Sequence, residues 1–281
     1  MAPKSTPLTL PVLPLDDEVV LPGMVVPMDL SDSEVRAAVE AAQATAPDGD
    51  KPQVLLVPRI GGNYAGIGVL GRVEQVGRLA DGDPGALIRG RQRVRIGSGT
   101  TGPGAALWVE GTRIEEDGPQ TGTAGQGTAP ESADDQGSGT RPSEVSELMT
   151  EYKALATDWL RKRGAWQVVD RLQQIDDVSQ LADNAGYSPF LSTEQKITLL
   201  ETIDPVERLR FAVSTLRDHL AEQDVAESIA KDVQEGVETQ QREFLLRRQL
   251  DAVRKELSEL NGDPEDEGED YRARVEAAEL P

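Results

Sequence analysis

The chain has 281 residues, 50 of them acidic and 29 basic, for a net charge of −21, and it contains no cysteine. That length suits about two domains. The acidity repels phosphate backbones and makes nucleic acid an unlikely partner, and the missing thiols exclude disulfides and thiolate metal sites. The imbalance is spread along the chain, with −4, −7 and −10 over residues 1–116, 117–203 and 204–281. The opening "MAPKSTPLTLPVLPL" is broken by prolines and lacks the apolar stretch of a signal peptide. No apolar run approaches the ~18 residues of a membrane span. These features lead to the expectation of a soluble, cytoplasmic protein with no membrane partner.

Residues 8–116 read mostly as strands. "LTLPVLPL" and "GMVVPMDL" are short apolar runs punctuated by proline, which suggests edge or first-position strand residues. "SDSEVRAAVEAAQA" is the one helix of this stretch, with Ser31 and Glu34 spaced as a capping box. "QVLLVP" is a compact buried strand. "IGVLGRVEQVGRL", "GALIRGRQRVRIG" and "ALWVEGTRIEE" follow, the first two joined by the turn "ADGDPG". Several strands with one helix imply a small closed or half-closed β domain.

Residues 117–143 hold no Leu, Ile, Val or Phe. Such a stretch cannot bury enough apolar area to offset its ordering entropy, and it reads as a flexible linker. Residues 144–203 read as a helical subdomain. Val145, Leu148, Met149, Tyr152, Leu155 and Trp159 recur at helical spacing, and Gly164 suits a C-cap. Ser192 with Gln195 forms a second capping box.

A long helix is expected over 204–260. Asp204 takes the N-cap and Pro205 the first helical position. Val206, Leu209, Val213, Leu216 and Leu220 step as a heptad seam. Val225, Ile229, Val233 and Val237 step by four, so the stripe drifts. Leu246, Leu250, Val253, Leu257 and Leu260 return to the heptad. Gly236 is the expected weak point. Unbroken, the helix would run about 84 Å at ~1.5 Å per residue. So narrow a stripe suits coiled-coil pairing or a projecting helix better than deep seating in a core. Residues 261–281 read as an acidic turn and the start of another helix, and stopping there suggests a cut from something longer.

Few motifs offer chemistry. Neither a G-K-[ST] phosphate loop nor a G-x-S-x-G elbow is present. The one histidine, His219, reads as a solvated helix-face residue. Ser228 and Lys231 match the S-x-x-K spacing of a nucleophile and its base, one helical turn apart, but "SIAK" lies within the seam helix, where an exposed face is the simpler reading. Arg89, Arg91, Arg93 and Arg95 alternate, which puts them on one strand face able to grip RNA phosphates, or paired with neighbours such as Glu74. Trp108, Trp159, Trp166, Tyr187 and Phe190 are candidate anchors of a binding patch.

Taken in order, "LPVLPLDDEVVLPGMVVPMDL", "YAGIGVLGRVEQV", "ALIRGRQRVRI", "LSTEQKITLLETIDPVERL" and "QQREFLLRRQLDAVRKELSELNG" resemble the N-terminal region of the Lon family of ATP-dependent proteases. The last, a helix just before the family's ATPase module, is the most specific match. Residues 117–143 depart from the family pattern. The resemblance implies an α+β fold: a small PUA-like β domain, then a helical subdomain running into a long coiled-coil-like helix. It also implies a homohexameric AAA+ parent using ATP and Mg, with a Ser-Lys dyad and Walker motifs beyond residue 281. By this resemblance, residues 1–281 hold no catalytic, cofactor or metal site. They would recognise unfolded or damaged proteins through the aromatic anchors, and assemble through Leu209, Val213, Leu216, Leu220, Leu246, Leu250, Val253 and Leu257. The alternative is a freestanding PUA-like module binding RNA through the Arg89–Arg95 stripe.

Overall fold

A computed structural model describes residues 7–47, 49–79, 81–116 and 142–261. Of the linker expected at 117–143, residues 117–141 lie outside the described residues, while Pro142 and Ser143 already belong to a helix; the acidic turn after Asn261 also lies outside them.

Among the described residues, seven strands form one sheet: β1 (Leu8–Asp16), β2 (Val25–Asp29), β3 (Gln53–Ile60), β4 (Asn63–Tyr64), β5 (Ile67–Arg78), β6 (Pro84–Thr100) and β7 (Trp108–Arg113). The two-residue β4 was not anticipated. β1 runs antiparallel to β7 through Leu8–Pro11 and parallel to β3 through Val12–Asp16. Since β7 pairs with β6, β6 with β5 and β5 with β3, five strands close into a ring. β1 is therefore not an edge, as its prolines suggested. Pro11 pairs only toward β7 and Pro14 only toward β3. Each thus has one neighbouring strand, and its missing N–H goes unneeded on the open side.

Alternation assigns the two faces of the ring. Leu10, Val12, Leu55, Val57, Leu70, Val94 and Val109 form a small buried cluster drawn from all five ring strands. Val54, Leu56, Val69, Val73 and Ile88 face the other way, into a larger core. On β6 the alternation breaks. Gln92 pairs with Leu70 and Gly90 with Gly71, which leaves Arg91 as the extra residue of a bulge. A bulge reverses the faces beyond it. Ile88 before it and Val94 after it consequently enter different clusters.

Six helices complete the described chain: α1 (Ser33–Thr45), α2 (Pro142–Lys162), α3 (Trp166–Gln173), α4 (Val178–Asp183), α5 (Thr193–Glu201) and α6 (Pro205–Asn261), with a 3-10 turn at Asn184–Tyr187. The α1 cap is Asp32 rather than Ser31. Its carboxylate accepts from the Glu34 and Val35 amides, while the Ser31 amide donates to Asp29. A carboxylate serving two orphan donors outcompetes the hydroxyl one residue earlier. Gly164 follows α2 at φ +74°, the left-handed conformation expected of it. Ser192 and Gln195 exchange both bonds of the capping box, and Asp204 caps α6 through the Val206 and Glu207 amides. Gly236 does not interrupt α6.

Tyr152, Leu181, Leu199, Leu200, Leu209, Val213 and Leu216 join strand residues in the larger core. The strand-rich and helical stretches thus share one core, and the compact unit extends to Leu220, into α6. A second unit begins at Ala221. Within it Val225, Ile229, Leu246, Leu250, Val253 and Leu257 are all exposed.

Leu209→Ala should cost about 2–5 kcal/mol of stability, the range for a fully buried leucine. Leu250→Ala should cost about 0.5 kcal/mol or less, as for exposed positions generally. Urea unfolding of the two variants checks the contrast; equal losses would refute it.

Candidate functional site

Where strands meet helices, the core contains charge. Arg93 and Arg208 are both fully buried. From β6, Arg93 donates through Nε to the Leu200 carbonyl at 2.9 Å and through Nη2 to the Leu199 carbonyl at 3.0 Å. Its two terminal nitrogens grip Asp183 at 2.9 and 2.7 Å, and Nη1 also reaches Glu116 at 2.8 Å. From α6, Arg208 donates to the Thr202 and Ile203 carbonyls at 2.9 and 2.8 Å and to Glu116 at 2.7 Å. Its Nε lies 3.3 Å from Asp183. The Ser179 hydroxyl donates to Glu116 and accepts from Arg208.

Two guanidiniums are thus balanced by two carboxylates. Burial raises the Glu116 carboxyl, but its bonds to Ser179 and the guanidiniums outweigh this and hold it below the ordinary range. Burial pushes the Asp183 carboxyl up, against the pull of Arg93 and Arg208. Asp183 is the last residue of α4, and the 3-10 turn that follows it ends at Tyr187.

Beside this cluster lies an open groove of about 600 Å³. Its walls include Tyr152 and Trp159 from α2, Leu172 from α3, Tyr187 and Phe190 from the following segment, and Leu216 from α6. Trp159 meets Phe190 edge-on at 5.4 Å, and Phe190 stacks on His219 at 4.2 Å. Val168 and Tyr187 line the groove while remaining 46% and 54% exposed. The Tyr187 hydroxyl accepts from the Val25 amide at 2.9 Å, tying this wall to β2. Burial raises the Tyr152 phenol.

Of the aromatic anchors, the structure unites Trp159, Tyr187 and Phe190. Trp108 is buried elsewhere, its indole donating to the Pro103 carbonyl at 3.1 Å. Trp166 is 61% exposed, with Arg161 over its ring, and does not line the groove. Sequence reading missed Leu172 and Val168, whose spacing in a short helix gives no sign of a groove. It placed Leu216 in the assembly seam. The seam itself divides: Leu209, Val213 and Leu216 are buried and Leu220 half-buried against the same core, whereas Leu246, Leu250, Val253 and Leu257 are exposed.

The arginine stripe is corrected. Arg89 lies 3.5 Å from Glu74, Arg93 is buried in the charge cluster, and the Arg91 bulge breaks the shared face. His219 stacks on Phe190 with Nε2 buried, so it is not a solvated residue. Ser228 and Lys231 are exposed, and the Lys231 ammonium lies 3.8 Å from Glu235. Among the described residues, no helix is long and apolar enough to cross a membrane, and no His, Asp and Glu group could hold a metal.

A strand ring fastened to a helical layer, with an aromatic groove on the helical side, defines a binding module. The chain belongs to the family described as the ATP-dependent protease La (LON) substrate-binding domain, which matches residues 9–218. It is 50% identical over 274 residues to the Lon protease of Salinispora arenicola (strain CNS-205), covering 97% of this chain and 31% of that protein. It is 47% identical over 273 residues to Lon protease of Mycolicibacterium smegmatis, covering 97% and 32%. The solved N-terminal domain of Mycobacterium avium complex Lon protease aligns at 40% identity and TM-score 0.59, over 75% of this chain and 100% of that one. The chain spans about a third of the length of these curated relatives.

Asp183→Asn should destabilise by about 3–5 kcal/mol, because it strips a charge from buried guanidiniums. Glu116 sets a pH dependence. With its folded pKa depressed below the ordinary 4.5, its contribution is complete above that value and disappears as pH falls through the folded value. The stability gap between the parent and Glu116→Gln should therefore narrow as pH falls from neutrality through and below the ordinary carboxylate range. A gap that is flat or widens on acidification would contradict the assignment.

Proposed function

We propose that this chain is the client-recognition and assembly part of a Lon-type ATP-dependent protease. The groove of Tyr152, Trp159, Leu172, Tyr187, Phe190 and Leu216 receives aliphatic and aromatic side chains from unfolded or damaged proteins. Folded proteins bury those side chains, so exposure is itself the signal. The observation carrying this reading is the groove, open and aromatic, within the stretch that matches a substrate-binding family. The net charge of −21 favours basic or apolar clients over acidic ones.

Sinking one large apolar side chain is worth about 1.5–3 kcal/mol, too little for a lasting grip. Several copies acting together would supply the rest. In this reading the exposed Leu246, Leu250, Val253 and Leu257 pair with neighbouring copies as a coiled coil, within a homohexamer. The strand ring is read as PUA-like. ATP and Mg serve an AAA+ module outside residues 1–281, where a Ser-Lys dyad cuts the client. The setting is the cytoplasm, where misfolded and regulatory proteins are degraded.

The chain should bind a chemically unfolded protein at least tenfold more tightly than its folded form. Val168→Asp, on the exposed groove wall, should cut that affinity about tenfold, the effect of losing roughly 1.4 kcal/mol, while leaving thermal unfolding unchanged. Fluorescence anisotropy with labelled client measures both; equal affinity for folded and unfolded client would end the proposal. Leu246→Asp with Leu250→Asp should lower any self-association seen by analytical ultracentrifugation. Unchanged association would remove the seam from assembly.

A further inference from the structure

The small cluster within the strand ring ends at a hollow of about 210 Å³ lined by Gln53, Leu70, Gly71, Gln92 and three arginines. Arg72 comes from β5, Arg91 from β6 and Arg113 from β7. All three lie on adjacent ring strands, and Arg91 is there because it is the bulge residue. Bulges re-aim side chains and recur at barrel rims beside functional sites.

The charge pattern is what calls for a ligand. Six other arginines, Arg59, Arg89, Arg93, Arg208, Arg210 and Arg217, each meet a carboxylate, and Arg36 and Arg78 donate to backbone carbonyls; what sets Arg72, Arg91 and Arg113 apart is that they converge on one hollow. With 50 acidic residues against 29 basic, partners are plentiful. Yet among the described residues no carboxylate lines this hollow, although Arg91 also borders a larger one that Glu116, Asp177 and Asp183 line. Among the described residues, none of its three guanidiniums donates a hydrogen bond or forms a close ion pair; Arg72 is half-buried, and Arg91 and Arg113 are exposed. Arg72 also sits directly across the strands from Arg89, a like-charge pairing that costs stability. Glu74 relieves it in part, but is itself engaged by Lys51 and Arg89. The mouth of a strand ring is a favoured place for a ligand, and 210 Å³ lies below the ~300 Å³ of drug-sized sites.

We propose that this hollow binds a phosphoryl oxyanion, a compact dianion held in the forks of Arg72, Arg91 and Arg113. A guanidinium matches two phosphoryl oxygens at once, and three of them offset a double negative charge that the chain would otherwise repel. The size selects one phosphoryl or diphosphoryl group and not a nucleic-acid chain. The group is either free in solution or esterified to a side chain of a bound protein; both present the same oxygens.

The test is thermal unfolding of the full chain in sodium pyrophosphate against sodium chloride of equal ionic strength, so that screening is matched. A ligand that binds only the folded state raises the midpoint. Pyrophosphate at about 10 mM should raise it by about 3 °C over chloride. Arg91→Gln with Arg113→Gln should abolish the rise. Without anion the variant's midpoint should stay close to the parent's, since Arg91 and Arg113 are exposed and form no close ion pair among the described residues. Each single variant should lose part of the rise, which keeps the test decisive if the double variant is unstable. A phosphoserine peptide that raises the midpoint more than its unphosphorylated twin assigns the ligand to protein-borne phosphate; a response to pyrophosphate alone assigns it to the free anion. No rise over matched chloride, or the same rise in the variants, overturns the site.

Discussion

Two fully buried arginines, Arg93 and Arg208, fix how the strand ring and the helices of the first unit meet. Taking a charge out of water costs several kcal/mol, and its partners repay that only in good geometry. Arg93 leaves a strand and finds its partners on α4 and α5, while Arg208 leaves α6 and meets Glu116, just past β7, with Ser179 on α4. These bonds form together only when the strand ring and the helices adopt one arrangement. The cluster therefore specifies an orientation, and the surrounding apolar core supplies most of the stability.

That orientation reaches the groove through a short path. Asp183 is clamped by Arg93, the 3-10 turn carries the chain to Tyr187, and Phe190 follows in the facing wall. The Val25 amide holds Tyr187 from the strand side. Trp159, Phe190 and His219 brace one another in edge and stacked contacts. In the proposed reading, walls held this firmly would need little reordering to receive a side chain, so more of the burial energy would appear as affinity. Among the described residues of the second unit, the exposed apolar residues of α6 beyond Leu220 have no such bracing.

Local chemistry made much of the fold legible. The β strands other than β4, the Ser192 capping box and the Asp204-Pro205 start of α6 follow from residue type and spacing. Two misreadings share a physical cause: periodicity reports a face without saying what covers it. Leu209 and Leu250 both lie in heptad-spaced stripes, but the first is buried in a core and the second is exposed. The arginine stripe assumed unbroken alternation, which a single bulge residue reverses. Of the groove, only the large aromatics could be singled out in advance. Trp108 and Trp166 were equally conspicuous, and long-range packing separates them from Trp159. Arg93 gave no sign of burial, because its partners Asp183 and Glu116 lie 90 and 23 residues away in sequence.

The central claim is that clients are held in the aromatic groove. Hydrogen–deuterium exchange of the full chain, with and without a saturating unfolded client, measures this directly. New protection should concentrate on α2, α3 and the Asn184–Phe190 segment. Protection confined to α6 beyond Leu220, or to the outer strands, with the groove segments unchanged, would contradict it.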